Sequence, residues 1–404
     1  MGELFGDETI QIWHEAIARH CTAGTTGTVP RADRWSASQP HARASADVTW
    51  ENSSERGWPC LRGTSSPKKR SIIQYEPGAL GVRDKARDNG GFQVKTIREY
   101  VEAGILASED LKDALQLAMQ LEFATIPPYL CAEWSVKNIS HHARRTLHRV
   151  VIQEMRHFAL AGNLLTAVGG TPSLAHPGFL PVYPADELPG GIPQQLPVEL
   201  KPLVKEQIAV FMQIEHPDFP PVGRLLAQHP TIGAFYDSIK ETFRMNPPKI
   251  DPNAHAVKVP SAQPIRTVAD AIETIDRIKI EGEGLPDSPS APTGESTSHA
   301  HYYLFKELYV QRRLIKVNGE WSYSGESITL PEVHHFEPST AEPDLSLEFR
   351  RVLTRLLIDL ESCWTSGTDV NDAAMSTMFE LQGAGEALIE RGIRPEFTWI
   401  QPPD

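Results

Sequence analysis

A glutamate and a histidine three residues apart form the pair best suited to chemistry in this sequence: Glu154-Met155-Arg156-His157. On a helix, residues i and i+3 lie on one face, so the carboxylate and the imidazole can reach one metal ion. Apolar residues at helical spacing surround the pair, and an unpaired carboxylate is costly to bury among them. The pair therefore indicates a metal site inside a helical protein.

The same spacing occurs a second time, in Glu332-Val333-His334-His335. This copy follows Pro331 in a stretch that has no helical periodicity. Because the two side chains share a face only on a helix, we interpret this second copy as a coincidence.

Glu122 resembles Glu154 in its surroundings, since Met119, Phe123 and Ile126 flank it on a predicted helix. Two buried carboxylates on consecutive apolar helices require a cation or strong hydrogen bonds. The alternative is that rotation of the helix exposes Glu122 at the surface. Arg156 points off the face of Glu154, so we expect it to be at the surface or in a salt bridge.

Helical periodicity dominates the sequence from about Thr96 onwards and predicts a mostly α fold. We expect Ser108 to cap the helix that carries Glu122 and Pro127-Pro128 to end it. Strand signals are limited to the hairpin-like stretch Glu320–Thr329. The remaining helices are predicted at Ile97–Ala103, Ser140–Val168, Glu199–Ile214, Thr231–Phe243, Val268–Ile280, His299–Val310, Leu345–Ser362 and Asp372–Glu390.

The composition excludes several other classes of protein. A net charge of −13 over 404 residues argues against nucleic-acid binding, which needs a basic face. The four cysteines form no CxxC pair, so neither a thiolate metal site nor a disulfide framework is indicated, and we expect a reducing, cytoplasmic location. No run of 18 apolar residues is present, so we expect no membrane span.

Three regions are predicted along the chain. Residues 1–90 are rich in Ser, Thr, Arg, Gly and Pro and form an irregular N-terminal arm with one short helix at Ile10–Arg19. Residues 91–318 form the helical metal-binding domain, and residues 319–404 form a C-terminal helical extension packed on it. The Pro- and Gly-rich loop Thr171–Leu196 has the length of a lid or a pocket wall.

Several short motifs in register resemble a ferritin-like family named for the iminophenyl-pyruvate dimer synthase domain, which occurs in enzymes of bisindole pigment biosynthesis. The resemblance is collinear over about Ile97–Leu308. It is carried by Gln120–Leu130, by Glu154–Leu160 with Asn163–Leu165 and Gly169–Pro172, by Phe179–Pro184, by Ile214–Pro217, by Thr231–Gly233, by Gly282–Gly284 and by His301–Phe305. It implies a ferritin-like helical bundle with a di-metal carboxylate site.

The resemblance also implies a set of metal ligands. Glu122 and Glu215 would be lone carboxylates, Glu154 would bridge or chelate, and His157 would bind terminally. Glu283 and His301 would replace the second Glu-x-x-His, with Glu281 and His299 as competitors for these two roles and Glu206 as the fallback for Glu215. Carboxylates and imidazoles suit two iron ions, or manganese in their place.

The expected activity is that of a non-haem di-iron oxidase or oxygenase, with Glu122, Glu154 and His157 as catalytic residues. Its partners would be O₂ and a small amine, imine or amino-acid-derived substrate of secondary metabolism, and oxidative coupling to an imine dimer is a special case that the resemblance implies. The alternatives are an iron-binding or ferroxidase-type protein without an organic substrate, and a metal-free scaffold. A homo-oligomer remains open.

Four tyrosines have two interpretations. Tyr129, Tyr183, Tyr236 and Tyr302 either line a pocket or relay an electron, or they fill the core and its rim as aromatic residues generally do.

Overall fold

The structure, a computed structural model, describes residues 95–193, 196–218, 230–260, 262–285, 287–293 and 296–402. The predicted mostly α fold is confirmed over these ranges, which contain ten helices and two small antiparallel sheets. The elements are α1 (Ile97–Ala103), α2 (Ser108–Ser135), α3 (His142–Ala167), α4 (Lys205–Ile214), α5 (Ile232–Met245), α6 (Val268–Glu283), β1 (Ser290–Thr293), β2 (Ser296–His299), α7 (His301–Val310), β3 (Ile315–Val317), β4 (Glu320–Ser322), α8 (Pro343–Thr365), α9 (Val370–Ala373) and α10 (Met375–Glu390).

The two longest helices, α2 and α3, form an antiparallel hairpin at the centre of the fold. Contacts between them run in opposite directions along the two helices: Thr125 of α2 lies beside Glu154 of α3, and Glu133 lies beside His148. Almost every residue of α2 from Leu117 onwards is buried. A helix that is mostly apolar on all sides, as α2 is, is typically covered by other elements on every face.

The prediction that Pro127-Pro128 would end α2 is wrong, because the helix continues through both prolines to Ser135. A proline inside a helix leaves the carbonyl four residues earlier without its donor. For Pro128 that carbonyl belongs to Ala124, and the Tyr183 hydroxyl donates a hydrogen bond to it at 2.6 Å. A side chain from a distant loop therefore replaces the missing N–H. The cap is also corrected: Ala107 precedes the helix and makes no side-chain hydrogen bond, and Ser108 is the first helical residue.

The remaining bundle helices pack around this hairpin. Helix α4 packs on α7, and α6 contacts α3, α5 and α7. Helix α4 starts six residues later than predicted, after Pro202, which is poorly compatible with a helix interior. Helix α6 begins at Val268, as predicted, and Thr267 before it forms a capping box with Asp270.

A β-hairpin that the sequence did not predict separates α6 from α7. Strands β1 and β2 pair antiparallel between the helices that were predicted at Val268–Ile280 and His299–Val310. Helix α7 consequently starts at His301 and not at His299, which ends β2. The predicted hairpin at Glu320–Thr329 is displaced, since β4 pairs with β3 at Ile315–Val317.

The long loop after α3 lies against the bundle. Phe179 is buried and its ring lies 5.2 Å from that of Phe123 and 6.4 Å from that of Phe158. The backbone N–H groups of Leu174 and Ala175 donate hydrogen bonds to one carboxylate oxygen of Glu361 in α8. The loop is thus fixed to both the bundle and the C-terminal helices.

The C-terminal helices α8 and α10 pack on each other and on the central hairpin. The described residues belong to one compact unit, Gln93–Asp404. The predicted arm, residues 1–90, and the helix at Ile10–Arg19 lie outside the described residues. The division between residues 318 and 319 stays a prediction. None of the described helices combines the length and the apolar character that crossing a bilayer requires.

Substitution of Gly162 tests the contact between α3 and α8. A Cβ at Gly162 would lie 2.6 Å from the Trp364 indole and 2.9 Å from the Met119 methyl group. We expect Gly162→Ala to lower the free energy of unfolding by about 1–3 kcal/mol, because overpacking displaces neighbouring groups. Urea denaturation followed by circular dichroism measures the change.

Gly383 of α10 provides the matched control, since it is exposed and nothing lies within 4 Å of its would-be Cβ. Gly383→Ala should raise the free energy of unfolding by about 0.5–1 kcal/mol, because alanine favours the helix. Equal effects of the two substitutions would contradict the packing described for Gly162.

Candidate metal centre

Helices α2 and α3 bring the first three predicted site residues together in the core. Glu122, Glu154 and His157 are each at most 3% exposed. His157 Nδ1 lies 3.7 Å from a carboxylate oxygen of Glu122 and 3.7 Å from Oε1 of Glu154. The alternative of an exposed Glu122 is therefore wrong. These three residues present ligand atoms close enough to hold one metal ion, at what we call position 1.

Two further predicted residues complete a second group on the other side of Glu154. Glu215 is the cap residue that directly follows α4, and His301 is the first residue of α7. His301 Nδ1 lies 2.7 Å from Glu154 Oε1 and 3.5 Å from Glu215 Oε2. Glu154, Glu215 and His301 can hold a second ion, at position 2. Both groups include Glu154, so the arrangement fits a di-metal site with this carboxylate shared.

The imidazoles are oriented for metal binding. The two rings lie 5.6 Å apart at 27° to each other. The Nε2 atoms have partners outside the site: His157 Nε2 lies 3.1 Å from Glu281, and His301 Nε2 lies 3.2 Å from the Gln153 amide oxygen. An N–H on Nε2 leaves Nδ1 as the lone-pair nitrogen that a metal requires. His301 Nδ1 is buried and finds no well-aligned hydrogen-bond partner among the described residues, although two carboxylates lie near it, as expected for an atom that binds a cation.

Two buried tyrosines bind Glu122 and Glu215, the carboxylates that the two groups do not share. The Tyr236 hydroxyl donates a 2.5 Å hydrogen bond to Glu122, and the Tyr129 hydroxyl donates a 2.6 Å hydrogen bond to Glu215. Hydrogen bonds to a charged acceptor are short and strong. Each position therefore has one unshared glutamate with one oxygen near the imidazole and the other oxygen bound by a tyrosine hydroxyl.

The charges of the site favour cations. Burial raises the pKa of Glu154 to about 7, and the charge of Glu215 adds to this effect. Burial acts to lower the pKa of His301, but the charges of Glu154 and Glu215 outweigh it and raise the pKa to about 9. Metal ions and protons compete for the same imidazoles. The pKa directions indicate that this pocket requires positive charge, as protons or as metal.

Glu281 and Glu283, the two candidates for a further carboxylate ligand, have different environments. Glu281 accepts the hydrogen bond of His157 and contacts Arg277 and Arg156, so the expected salt bridge of Arg156 is present. Burial acts to raise the pKa of Glu281, but His157 and the two arginines outweigh it and lower the pKa to about 2.

Glu283 is the last residue of α6, and its side chain lies at the edge of the site, against the start of α5. Its carboxylate occupies the space where a side chain of Gly233 would be, and it accepts backbone hydrogen bonds from Asp218 and Gly233. One of its oxygens is buried without a hydrogen-bond partner. Burial, followed by the charge of Asp218, raises the pKa of Glu283 to about 8. Neither Glu281 nor Glu283 belongs to the two groups whose ligand atoms converge.

The other competing residues lie away from these groups. His299 Nε2 lies 3.2 Å from the backbone oxygen of Leu314, and Glu206 is exposed in the first turn of α4. Glu332 and His335 are exposed outside any helix, as expected for a coincidental spacing.

A small cavity adjoins the site. Its volume is about 30 Å³, and its walls include Glu122, Glu154, His157, Glu215 and Glu283. A water molecule requires roughly 10–15 Å³, so the cavity is large enough for small species such as water or O₂. Among the described residues of the loop after α3, none lines it.

Sequence reasoning missed the groups that support the ligands. Gln153 precedes Glu154 directly, and Glu281 was weighed only as a ligand. Tyr129 and Tyr236 were named, but their contacts with Glu215 and Glu122 were not foreseen, and Tyr183 and Tyr302 make no such contact. The one available signal was a polar or phenolic residue inside an apolar helical stretch.

Comparison with known proteins agrees with this geometry. Residues 115–310 match a protein family described as Ferritin-like. The crystal structure of a ferritin-like protein from Caulobacter vibrioides is similar, with a TM-score of 0.56 and 20% sequence identity over 73% of this chain and 100% of that chain. At this identity the likeness concerns the fold, which is therefore a ferritin-like helical bundle. No curated protein matches the chain.

Substitution of Tyr236 tests the support of Glu122 without any metal. Tyr236→Phe removes the donor and leaves a buried carboxylate oxygen without a partner. We expect the free energy of unfolding of metal-free protein to fall by about 1–3 kcal/mol. Chemical denaturation in the presence of a chelator measures this value.

Tyr303→Phe is the control, because the Tyr303 hydroxyl is equally buried but has no hydrogen-bond partner among the described residues. Its removal should leave stability unchanged or increase it. If Tyr236→Phe behaved like Tyr303→Phe, the hydrogen bond to Glu122 would contribute nothing.

Proposed function

We propose that this protein is a non-haem di-iron, or dimanganese, oxidoreductase that uses O₂ to oxidise a small organic substrate. One observation carries the proposal: two carboxylate–imidazole groups meet at Glu154 in the core of a ferritin-like bundle. Carboxylates and imidazoles are hard to borderline donors, which favour iron or manganese. Bound ions of this kind supply the binding and reduction of O₂.

The proposed ligands are the five converging residues, with Glu283 as the sixth. Glu122 and His157 belong to position 1, and Glu215 and His301 belong to position 2, with Glu154 shared. Glu283 is preferred to Glu281 because it lines the cavity and has a free oxygen, whereas Glu281 binds the far nitrogen of His157.

The surrounding residues have distinct roles in this proposal. Tyr129 and Tyr236 fix the terminal carboxylates, and Gln153 and Glu281 fix the imidazole rings. Without metal, burial and the charge of Asp218 raise the pKa of Glu283 to about 8, so binding of a metal ion by this carboxylate would release its proton. The five converging ligands are each at most 7% exposed, so bulk water has little access to them.

The substrate class rests on the resemblance to the iminophenyl-pyruvate dimer synthase type. It favours a small amine, imine or amino-acid-derived compound of secondary metabolism, with oxidative coupling to an imine dimer as a special case. A cytoplasmic location agrees with Cys131 and Cys363, which are buried free thiols.

A second candidate function is iron oxidation without an organic substrate. The observation that favours it is the size of the cavity, since about 30 Å³ admits O₂ and water but not an organic molecule. Both candidates require the same two metal positions, and they differ in what is oxidised.

Metal analysis tests the shared part of both candidates. We expect protein purified from iron-rich medium to contain about two metal ions per chain by plasma mass spectrometry. Glu154→Ala should lose both ions, because both positions use this carboxylate. Glu206→Ala, which removes an exposed acid of α4, should retain them. Retention of both ions by a folded Glu154→Ala protein would refute the site.

Oxygen consumption separates the two candidates. For the first, Fe²⁺-loaded protein should consume O₂ continuously only when an amine, an imine or a 2-oxo acid is present. For the second, added Fe²⁺ alone should sustain O₂ consumption, and organic compounds should not change the rate. An oxygen electrode measures both, and Glu154→Ala gives the background rate.

A further inference from the structure

The two metal positions have the same kinds of ligand and differ in the partners of their imidazoles. Each has an imidazole Nδ1, a terminal carboxylate held by a tyrosine, and the shared Glu154. The difference lies behind the imidazoles. His157 donates to the Glu281 carboxylate at 3.1 Å, whereas His301 donates to the Gln153 amide at 3.2 Å.

Glu281 is fixed as a carboxylate by its surroundings. Its Oε1 lies 3.0 Å from Arg277 Nε and 3.6 Å from Arg156 Nη2, while the other oxygen, Oε2, accepts from His157. The two arginines therefore contact the oxygen that His157 does not use. Glu281 is 1% exposed, so water does not screen these contacts.

A carboxylate acceptor makes an imidazole a better ligand than an amide acceptor does. The negative charge attracts the Nε2 proton and increases electron density at Nδ1. Gln153 orients His301 equally well, but it cannot supply this charge. Changes to partners of this kind typically alter metal affinity about 10–100-fold.

We infer that the two positions are unequal: position 1, with His157 and Glu281, binds its metal more tightly and fills first, and position 2, with His301 and Gln153, holds the weaker, exchangeable ion. This inference rests on the proposed di-metal function. It makes Glu281 and Gln153 positioning residues that set the order of loading.

Titration of the metal-free, full-length protein with Co²⁺ under anaerobic conditions tests the inference. Co²⁺ reports each binding event by visible absorption, and calorimetry gives the affinities. We expect two classes of site in the wild type, with dissociation constants about 10–100-fold apart. His301→Ala should retain only the tighter class, and His157→Ala only the weaker.

The exchange of the two partners provides matched variants. Glu281→Gln keeps the size and an acceptor oxygen but removes the charge, so it should weaken only the tighter class, by about 10–100-fold. Gln153→Glu adds the charge at the other position and should tighten only the weaker class. Each change should bring the two affinities together. Circular dichroism establishes that both variants are folded, and either variant alone decides the question if the other fails to fold.

Other outcomes have separate meanings. Equal affinities in the wild type, or equal weakening of both classes by Glu281→Gln, would overturn the inequality but leave the di-metal site intact. Absence of Co²⁺ binding together with absence of iron and manganese would refute the proposed function itself.

Discussion

Repulsion between buried carboxylates is the constraint that governs this bundle. Glu122, Glu154 and Glu215 converge in a core where burial strengthens every charge interaction. Hydrogen bonds from the hydroxyls of Tyr129 and Tyr236 offset part of this repulsion. The carboxylates also raise the pKa of His301, because a positive charge on its imidazole offsets the repulsion further. Hydrogen bonds alone leave His301 Nδ1 unsatisfied. Cations at the shared carboxylate would satisfy all these groups together.

The part of the site that the residues alone predicted most directly is the pair on one helix, whereas Glu215 and His301 followed only from the family resemblance. Glu154 and His157 belong to one continuous helix, so their spacing of three residues places both side chains on the same face. Glu122 stood out because it is a charge in an apolar stretch. Residues 281 and 283 could not be distinguished in this way, because the end of α6 and its contacts with α5 decide which carboxylate faces His157 and which faces the start of α5.

The fold was predictable wherever local preference and packing agree. Helices α1, α3 and α8 lie within a few residues of their predicted bounds, because each has a continuous apolar stripe. The β1–β2 hairpin was missed because Ser, Thr and Pro give no alternating pattern. Its position matters for the site, since β2 leads within two residues to His301 and thereby places one imidazole.

The hydrogen bond from Tyr183 to Ala124 has a consequence for the order of folding. The turn of α2 that contains the two prolines lacks an internal donor, and the replacement comes from a residue 59 positions later in the chain. A nascent chain that ended with α3 would have this turn incompletely bonded. We therefore expect docking of the loop and completion of this turn of the longest helix to be coupled.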